Sequence, residues 1–239
     1  MRVIVCASQK GGSGKTTLSG HIAVQAERQG AGPVAIIDTD PQGSLAEWWN
    51  SRTDDSPLFA KTSLDKLEQD LAALQAGGVR LAVIDTPPSV TAAIRQVMNL
   101  ASLVVIPIRP SPHDLRAAAA TVDLAETLDR SFVFVVNGAT ARARITADAA
   151  VTLSQHGTVA PVTLHHRTDF ASSMIDGRTV MECDPRSRSA AEVVALWDYL
   201  ASRLEKAAQR GLVFDGATPF GASRASRTFG RRLGTEARI

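Results

Sequence analysis

Cysteine is scarce in this chain of 239 residues. The two cysteines, Cys6 and Cys183, are too few for the disulfide framework of a small secreted domain. Neither belongs to a Cys-x-x-Cys pair, the spacing typical of zinc, redox and iron–sulfur sites. The sequence therefore argues against those sites, and we expect Cys6, which lies inside an apolar run, to be a small buried side chain.

Long apolar runs are absent as well. The chain is 44% hydrophobic and 21% charged, which is ordinary for a globular protein, and no apolar run approaches the roughly 18 residues of a membrane span. The apolar run at the start of the chain is short and leads straight into a glycine-rich turn, unlike a secretory signal. We therefore expect a cytoplasmic protein with a single folded domain.

An excess of positive charge is small overall but unevenly distributed. The formal net charge is +2, and residues 207–239 carry six arginines against two acids, a local net of +4 that leaves −2 for the rest. This last stretch is rich in glycine, serine and alanine, a composition typical of flexible segments, some of which bind polyanions. We predict a folded domain over residues 1–210 and a basic, flexible tail over residues 211–239.

Short β-branched runs alternate with stretches of helical period from residue 2 to residue 204. This alternation predicts an α/β fold in which a doubly wound, mostly parallel sheet is flanked by helices. Strands are predicted at residues 3–7, 34–38, 81–85, 103–108, 132–136 and 158–164. Helices are predicted to begin near Lys15, Ser63, Ser89, Ser111, Thr146, Thr168 and Ser187. The longest helix should cover residues 187–209, with Ala191, Val194, Leu196, Tyr199, Leu200 and Leu204 as its buried set.

The turn after the first predicted strand has the pattern of a phosphate-binding loop. It reads KGGSGKTT and leads directly into a helix, which is the setting that gives this motif its meaning. Backbone N–H groups in such a turn converge on one point, and the helix N-terminus adds its positive end. We therefore predict that Lys15 contacts the β- and γ-phosphates and that the Thr16 hydroxyl coordinates Mg²⁺.

The motif departs from the ordinary P-loop in a way that resembles one family. Gln9 stands where the ordinary pattern has glycine, and Lys10 is an additional lysine. This arrangement resembles the deviant Walker A motif of the ParA/MinD family of P-loop ATPases. The resemblance implies an ATP-bound homodimer in which Lys10 crosses the interface to the partner's nucleotide. It also implies these ATP contacts: Lys10, Gly11, Gly12, Ser13, Gly14, Lys15, Thr16, Thr17 and Asn137.

Two acidic segments at strand ends extend the resemblance. Residues 38–44, DTDPQGS, are similar to the family's Asp-x-Asp-Pro-Gln-Gly switch, and residues 85–89, DTPPS, are similar to its Walker B end. The resemblance implies that Asp40 orients the attacking water. The implied metal ligands, direct or through water, are Thr16, Asp38 and Asp85, and the implied catalytic residues are Lys10, Lys15 and Asp40.

The resemblance weakens later in the chain but reaches about residue 206. Residues 106–116 and 167–185 are similar to family segments. Asn137 stands at the end of the fifth predicted strand, where relatives read adenine, and Gly138 replaces an arginine that is common there.

The resemblance implies a small ParA protein without an N-terminal DNA-binding domain, because the first strand begins at residue 3. Such a protein would bind ATP and Mg²⁺, associate non-specifically with DNA of the nucleoid, and position a plasmid, chromosome or protein cluster. Hydrolysis would be slow and stimulated by a small adaptor or centromere-binding protein. The residues predicted to contact DNA phosphates are Arg178, Arg186, Arg188, Arg203, Lys206 and Arg210. Each of them is equally compatible with an ordinary solvated surface.

Two alternatives remain open. A MinD-like cycle on the membrane surface needs an amphipathic C-terminal helix, and the five glycines and one proline in residues 211–234 disfavour one. A scaffold that does not hydrolyse ATP is disfavoured by Lys15, Asp40 and Asp85.

The remaining reactive or aromatic side chains have ordinary interpretations. Trp48 and Trp49 are expected to pack in the core or at a dimer interface rather than stack on bases. His165 and His166 lack the spacing of metal ligands and are expected at the surface. His113 is expected in the first turn of a helix, without a chemical role.

Overall fold

The computed structural model describes residues 1–89 and 92–214, with side chains described as far as residue 207. Six strands are found in this part of the chain: β1 Arg2–Cys6, β2 Val34–Asp38, β3 Leu58–Phe59, β4 Leu81–Asp85, β5 Leu103–Ile108 and β6 Phe132–Val136. The α-helices are α1 Lys15–Arg28, α2 Ser44–Asn50, α3 Leu67–Ala76, α4 Ala92–Asn99, α5 Pro112–Thr127, α6 Arg144–Ser154, α7 Thr168–Met174, α8 Val180–Cys183 and α9 Arg188–Phe214. A 3₁₀ turn, Leu64–Lys66, precedes α3.

The strands form one parallel sheet in the order β3-β2-β4-β1-β5-β6. Two apolar clusters cover its faces: Ile4 and Cys6 belong to one, and Val3 and Val5 to the other. The central strands are therefore buried on both faces, which is why they read as continuous apolar runs rather than alternating ones. The predicted doubly wound α/β fold is confirmed.

The pairing register brings the motif residues to one edge of the sheet. Cys6 pairs with Asp85, and Asp38 pairs with Asp85 from the other side. The phosphate loop, the switch segment and the Walker B end therefore leave the sheet side by side. Ligands of open α/β sheets bind at this carboxyl edge.

One predicted strand was wrong. Residues 158–164 form no strand, although Phe134 and Val136 of β6 exchange backbone hydrogen bonds with this segment and a single bridge joins Phe134 to Val159. The N–H groups of Ala160 and Leu164, four residues apart, donate to Phe134 and Val136, which are two residues apart, so the pairing loses its register around Pro161. Three short elements, α2, β3 and α8, were not predicted, and α6 begins at Arg144 rather than near Thr146.

The longest helix was placed correctly, but part of its buried face was wrong. Ala191 is exposed, Val194 and Tyr199 are half-buried, and only Leu196, Leu200 and Leu204 of the predicted set are buried. Among the described side chains of this helix, the other buried ones are Ser189, Ala190, Val193 and Trp197. The helix runs through Gly211 to Phe214, past the predicted domain boundary at residue 210, and residues 215–239 of the predicted tail lie outside the described residues.

In the described part of the chain, no helix combines the length and apolar character that crossing a membrane requires. Cys6 is buried, as predicted, and Cys183 is exposed.

Candidate nucleotide-binding site

The phosphate loop joins β1 to α1 in a conformation that depends on glycine. Gly12 and Gly14 have φ angles of 73° and 96°, in the left-handed region that other residues avoid. A side chain on Gly14 would also collide with the amide of Asn137. By contrast, a Cβ on Gly11 or Gly12 would meet nothing within 4 Å, so the space beside these two glycines of the loop is open.

Lys15 is a buried cation without an anionic partner. The residue is 6% exposed, and among the described residues no carboxylate lies within ion-pair distance of its ammonium group. Desolvation lowers its pKa, and the charges of Asp85 and Asp40 oppose that shift only in part. The hydroxyl of Ser13 beside it is buried and unpartnered. A buried cation and an unused donor next to an open loop fit a phosphate group.

Thr16 and Asp85 form the other half of the site. The Thr16 hydroxyl donates to Asp85 Oδ2 at 2.6 Å, and the Ser19 hydroxyl lies 3.4 Å from Oδ1. Desolvation raises the pKa of Asp85 to about 7, and the charge of Asp38 adds to the rise. A bound cation would offset both the desolvation of Asp85 and its repulsion from Asp38. The Thr16–Asp85 pair therefore fits Mg²⁺, which is usually held by few protein oxygens together with water and phosphate. The described residues hold no cluster of three or more His, Cys, Asp or Glu side chains that would form an all-protein metal cage.

Asp38 organises the switch segment through its backbone. Its Oδ1 accepts the N–H of Asp40 at 3.0 Å, and its Oδ2 accepts those of Leu45 and Ala46 at 2.9 and 3.0 Å. It therefore fixes the position of Asp40 and caps helix α2. These bonds leave the Asp38 carboxylate few free lone pairs for other partners. Its place near the water shell of Mg²⁺ stays a prediction.

Asp40 and Lys10 lie at the same edge of the sheet and differ in exposure. Asp40 is half-buried, and its Oδ1 accepts the N–H of Gln42 at 3.0 Å. Lys10 is exposed, and its side chain has no partner among the described side chains. Thr39 ties the two acidic segments together, since its hydroxyl donates to the Asp85 carbonyl at 2.6 Å.

Asn137 reaches the phosphate loop from the end of β6. Its Nδ2 donates to the Ser13 carbonyl at 2.7 Å, and its backbone N–H donates to the Ile108 carbonyl at 2.9 Å. Because the Ser13 carbonyl can only accept, the Asn137 atom that faces it is Nδ2. Asn137 Oδ1 therefore remains a free acceptor in the described structure.

Sequence reasoning missed a link between this site and the segment around α8. His21, in α1, contacts the Thr17 carbonyl through Nδ1 at 2.7 Å, and its Nε2 accepts the N–H of Val180 at 3.2 Å. The only signal in the sequence is a histidine within an apolar helical run.

A second link joins the end of α2 to the same segment. The Arg52 side chain is 2% exposed and forms an ion pair with Glu182 at 2.8 Å. It also donates to the Gly177 carbonyl at 2.6 Å and lies over the Trp48 ring, 5.0 Å from the centroid. The Trp48 indole N–H donates to the Arg178 carbonyl at 3.1 Å. The prediction that the tryptophans pack in the core or at a dimer interface is confirmed for Trp48, which is 5% exposed and belongs to the apolar core.

The predicted DNA contacts lie on α9 and on the segment before it. Arg178 is exposed but paired with Asp176 at 2.6 Å. The side chains of Arg186, Arg188, Arg203 and Lys206 are exposed or half-buried and have no partner among the described side chains; the Arg210 side chain lies outside that set.

The histidines follow the expectations in part. His113 is exposed in the first turn of α5, as predicted. His165 is instead half-buried and bonded to Glu192 at 2.8 Å, and Arg167 contacts the same carboxylate at 2.7 Å.

The chain is similar to a known family of nucleotide-binding proteins. Residues 4–230 match the family model described as the CobQ/CobB/MinD/ParA nucleotide binding domain, and the chain belongs to this family. It is 30% identical over 202 residues to the maintenance of carboxysome distribution protein A of Halothiobacillus neapolitanus, covering 80% of this chain and 92% of that protein.

Solved structures share the fold. The Aquifex aeolicus MinC:MinD cell division complex matches with a TM-score of 0.72 and 16% identity, covering 84% of this chain and 96% of that one. An ATP complex of McdA from Cyanothece matches with a TM-score of 0.66 and 15% identity, covering 87% and 96%.

Proposed function

We propose that this chain is a ParA-type ATPase that dimerises around ATP, binds DNA without sequence preference, and leaves the DNA on hydrolysis. One observation carries the proposal: the buried, unpaired Lys15, the Thr16–Asp85 pair and the exposed Lys10 lie together at the carboxyl edge of the sheet. Such an edge supplies what a magnesium–nucleotide complex requires.

In this proposal Lys15 and the backbone N–H groups of the loop hold the β- and γ-phosphates. Thr16 and Asp85, which are bonded to each other in the described structure, are the residues that would hold Mg²⁺. Magnesium, when bound, neutralises charge that develops on the transferred phosphoryl group. Phosphoryl transfer asks the protein mainly for positioning and for charge stabilisation, and this site provides both.

The hydrolytic step is assigned to residues that contribute little to binding. Asp40 orients the attacking water, and its position is set by the Asp38 carboxylate. Lys10 acts on the nucleotide of the partner subunit, in the role that an arginine finger has in related enzymes. Hydrolysis then depends on dimerisation and is slow until a partner protein, a small adaptor, stabilises the closed dimer.

Asn137 supports adenine as the base. Its free Oδ1 is an acceptor, so it matches the amino group at adenine C6 and repels the carbonyl that guanine has at that position.

The surface of α9 supports DNA binding. Arg188 and Lys206 are 18 residues apart, about five helical turns, so they lie in one row roughly 27 Å long. Arg203 lies about 60° around the helix axis from that row, and Arg186 lies just before the helix begins. Each contact to a DNA phosphate releases counterions, and a dimer doubles their number. ATP dependence of DNA binding follows directly.

The name of the Halothiobacillus relative concerns carboxysome distribution, and other relatives are named as a ParA protein and as the cell division protein PomZ. We propose that this chain has the role that ParA-type proteins share, which is to position a cargo within the cell.

The test is binding to DNA of mixed sequence with ATP, with ADP and without nucleotide, over a range of salt concentrations. We expect binding only with ATP and a steep loss with salt. The double variant R186A/R188A should bind DNA more weakly and ATP normally. The control variant K61A/K66A removes the same charge from two exposed lysines before helix α3 and should behave as wild type.

If the ATP form ignores DNA and instead sediments with anionic liposomes, the proposal is wrong and the membrane-surface alternative takes its place.

A further inference from the structure

Arg109 follows β5 at the edge of the sheet that carries the phosphate loop. The residue before it, Ile108, accepts the backbone N–H of Asn137 at 2.9 Å. A Cβ built on Gly138 would lie 3.5 Å from Arg109 Nε, 3.7 Å from Cγ and 3.9 Å from Cδ. The arginine side chain therefore runs alongside the Gly138 backbone, over a position that carries no side chain of its own.

The guanidinium group has no internal role in the described structure. Arg109 is exposed, and its side chain forms no hydrogen bond or ion pair with another described side chain. Its backbone, in contrast, is fixed: the Arg109 carbonyl accepts the N–H of Ser111 at 2.7 Å across Pro110. A fixed backbone beside a free cation is the arrangement expected of a residue that contacts a ligand.

The direction of the nucleotide follows from which strands carry which groups. The acids that face the metal end of the triphosphate, Asp38 and Asp85, lie on β2 and β4, on one side of β1. Asn137 follows β6, on the opposite side, and holds the Ser13 carbonyl of the loop. The nucleoside therefore extends from the loop toward the ends of β5 and β6, where Asn137, Gly138 and Arg109 meet.

We infer that the Arg109 guanidinium stacks on the face of the adenine base, while Asn137 reads its edge. A guanidinium is planar, weakly hydrated and attracted to π-systems, and it stacks on nucleic-acid bases. Gly138 leaves its backbone free of a side chain, so that the arginine stem can lie beside it. This inference rests on the proposed binding of ATP. It adds a second base-contacting residue, which follows β5, whereas Asn137 follows β6.

The experiment compares two ligands of the same loop, ATP and inorganic tripolyphosphate, by titration calorimetry with Mg²⁺. Arg109→Ala should weaken ATP binding by about 2-fold to 30-fold, the range of cation–π contacts, and leave tripolyphosphate binding unchanged. Arg109→Lys should fall between this variant and wild type because ammonium lacks the planar face. Arg28→Ala, an exposed arginine at the far end of α1, about 20 Å from the loop, is the matched control and should match wild type.

Equal losses for both ligands would overturn the inference and place Arg109 on the phosphates, and no loss for either would overturn it as well. Failure of the wild-type chain to bind ATP would overturn the proposed function itself. Thermal unfolding of each variant without ligand distinguishes a lost contact from a lost fold, because an exposed side chain without partners should leave the melting temperature unchanged.

Discussion

Replacing His21 should change how the stability of the protein depends on pH. The ring is buried between the Thr17 carbonyl, which can only accept, and the Val180 N–H, which can only donate. These partners require a neutral ring with its proton on Nδ1. Burial lowers the pKa of His21 to about 4, against the ordinary value of 6.5, although the Thr17 carbonyl and the Glu182 charge oppose that shift.

The sign and size of the effect follow from this pKa. Between about pH 6.5 and pH 4 the unfolded chain binds a proton at His21 and the folded chain does not, so the free energy of unfolding falls as the pH falls through this window. The difference between the ordinary pKa of 6.5 and about 4 corresponds to roughly 3 kcal/mol in total. About 2 kcal/mol of it should be lost between about pH 7.5 and pH 5.

Urea unfolding of wild type and His21→Gln at those two pH values measures this contribution. The variant should be less stable at the higher pH, because glutamine loses the ring contact with Phe170, 5.2 Å between centroids, and must order a flexible side chain to reach both partners. The difference from wild type should shrink by about 2 kcal/mol at the lower pH. Asp85, whose raised pKa gives the opposite pH dependence, is present in both proteins and cancels in the difference. His113→Gln, at an exposed ring, is the control. A difference that is the same at both pH values would refute the buried neutral histidine.

Two further predictions concern the phosphate site. Lys15→Ala should abolish binding of a fluorescent ATP analogue, because the loop loses its only buried cation among the described residues, whereas Lys61→Ala should bind normally; wild-type affinity in the Lys15 variant would remove the site assignment. Asp40→Ala should still bind ATP but accumulate a long-lived dimer in size-exclusion chromatography, because water is no longer oriented; turnover at the wild-type rate would assign that role to another residue.

The parts of the fold that could be predicted are those in which local pattern and tertiary environment agree. Strands at residues 34–38, 81–85, 103–108 and 132–136 were placed correctly because a strand buried on both faces is a continuous β-branched run. The phosphate loop was predicted because its residues are contiguous. Residues 158–164 show the limit, since an apolar run containing a proline contacts β6 without becoming a strand.

The contacts that could not be predicted join residues far apart in the chain. The Arg52–Glu182 ion pair spans 130 residues, and the His21–Val180 bond spans 159. Neither residue pair belongs to a local motif. Short helices were missed for a different reason: α2 and α8 have seven and four residues, which is too few turns for a helical hydrophobic period to be recognised. The face of α9 was partly wrong because the exposed Ala191 was predicted as buried and the buried Trp197 was omitted.

In the proposed ATP-bound dimer, Lys10 of one subunit lies at the nucleotide of the other. Light scattering with Mg²⁺ and ATP, together with the hydrolysis rate, tests this arrangement. Lys10→Ala should bind ATP, remain a monomer and hydrolyse ATP poorly, whereas wild type and the surface control Lys61→Ala should dimerise. A Lys10→Ala protein that dimerises and hydrolyses ATP as wild type does would show that Lys10 does not act across the dimer interface.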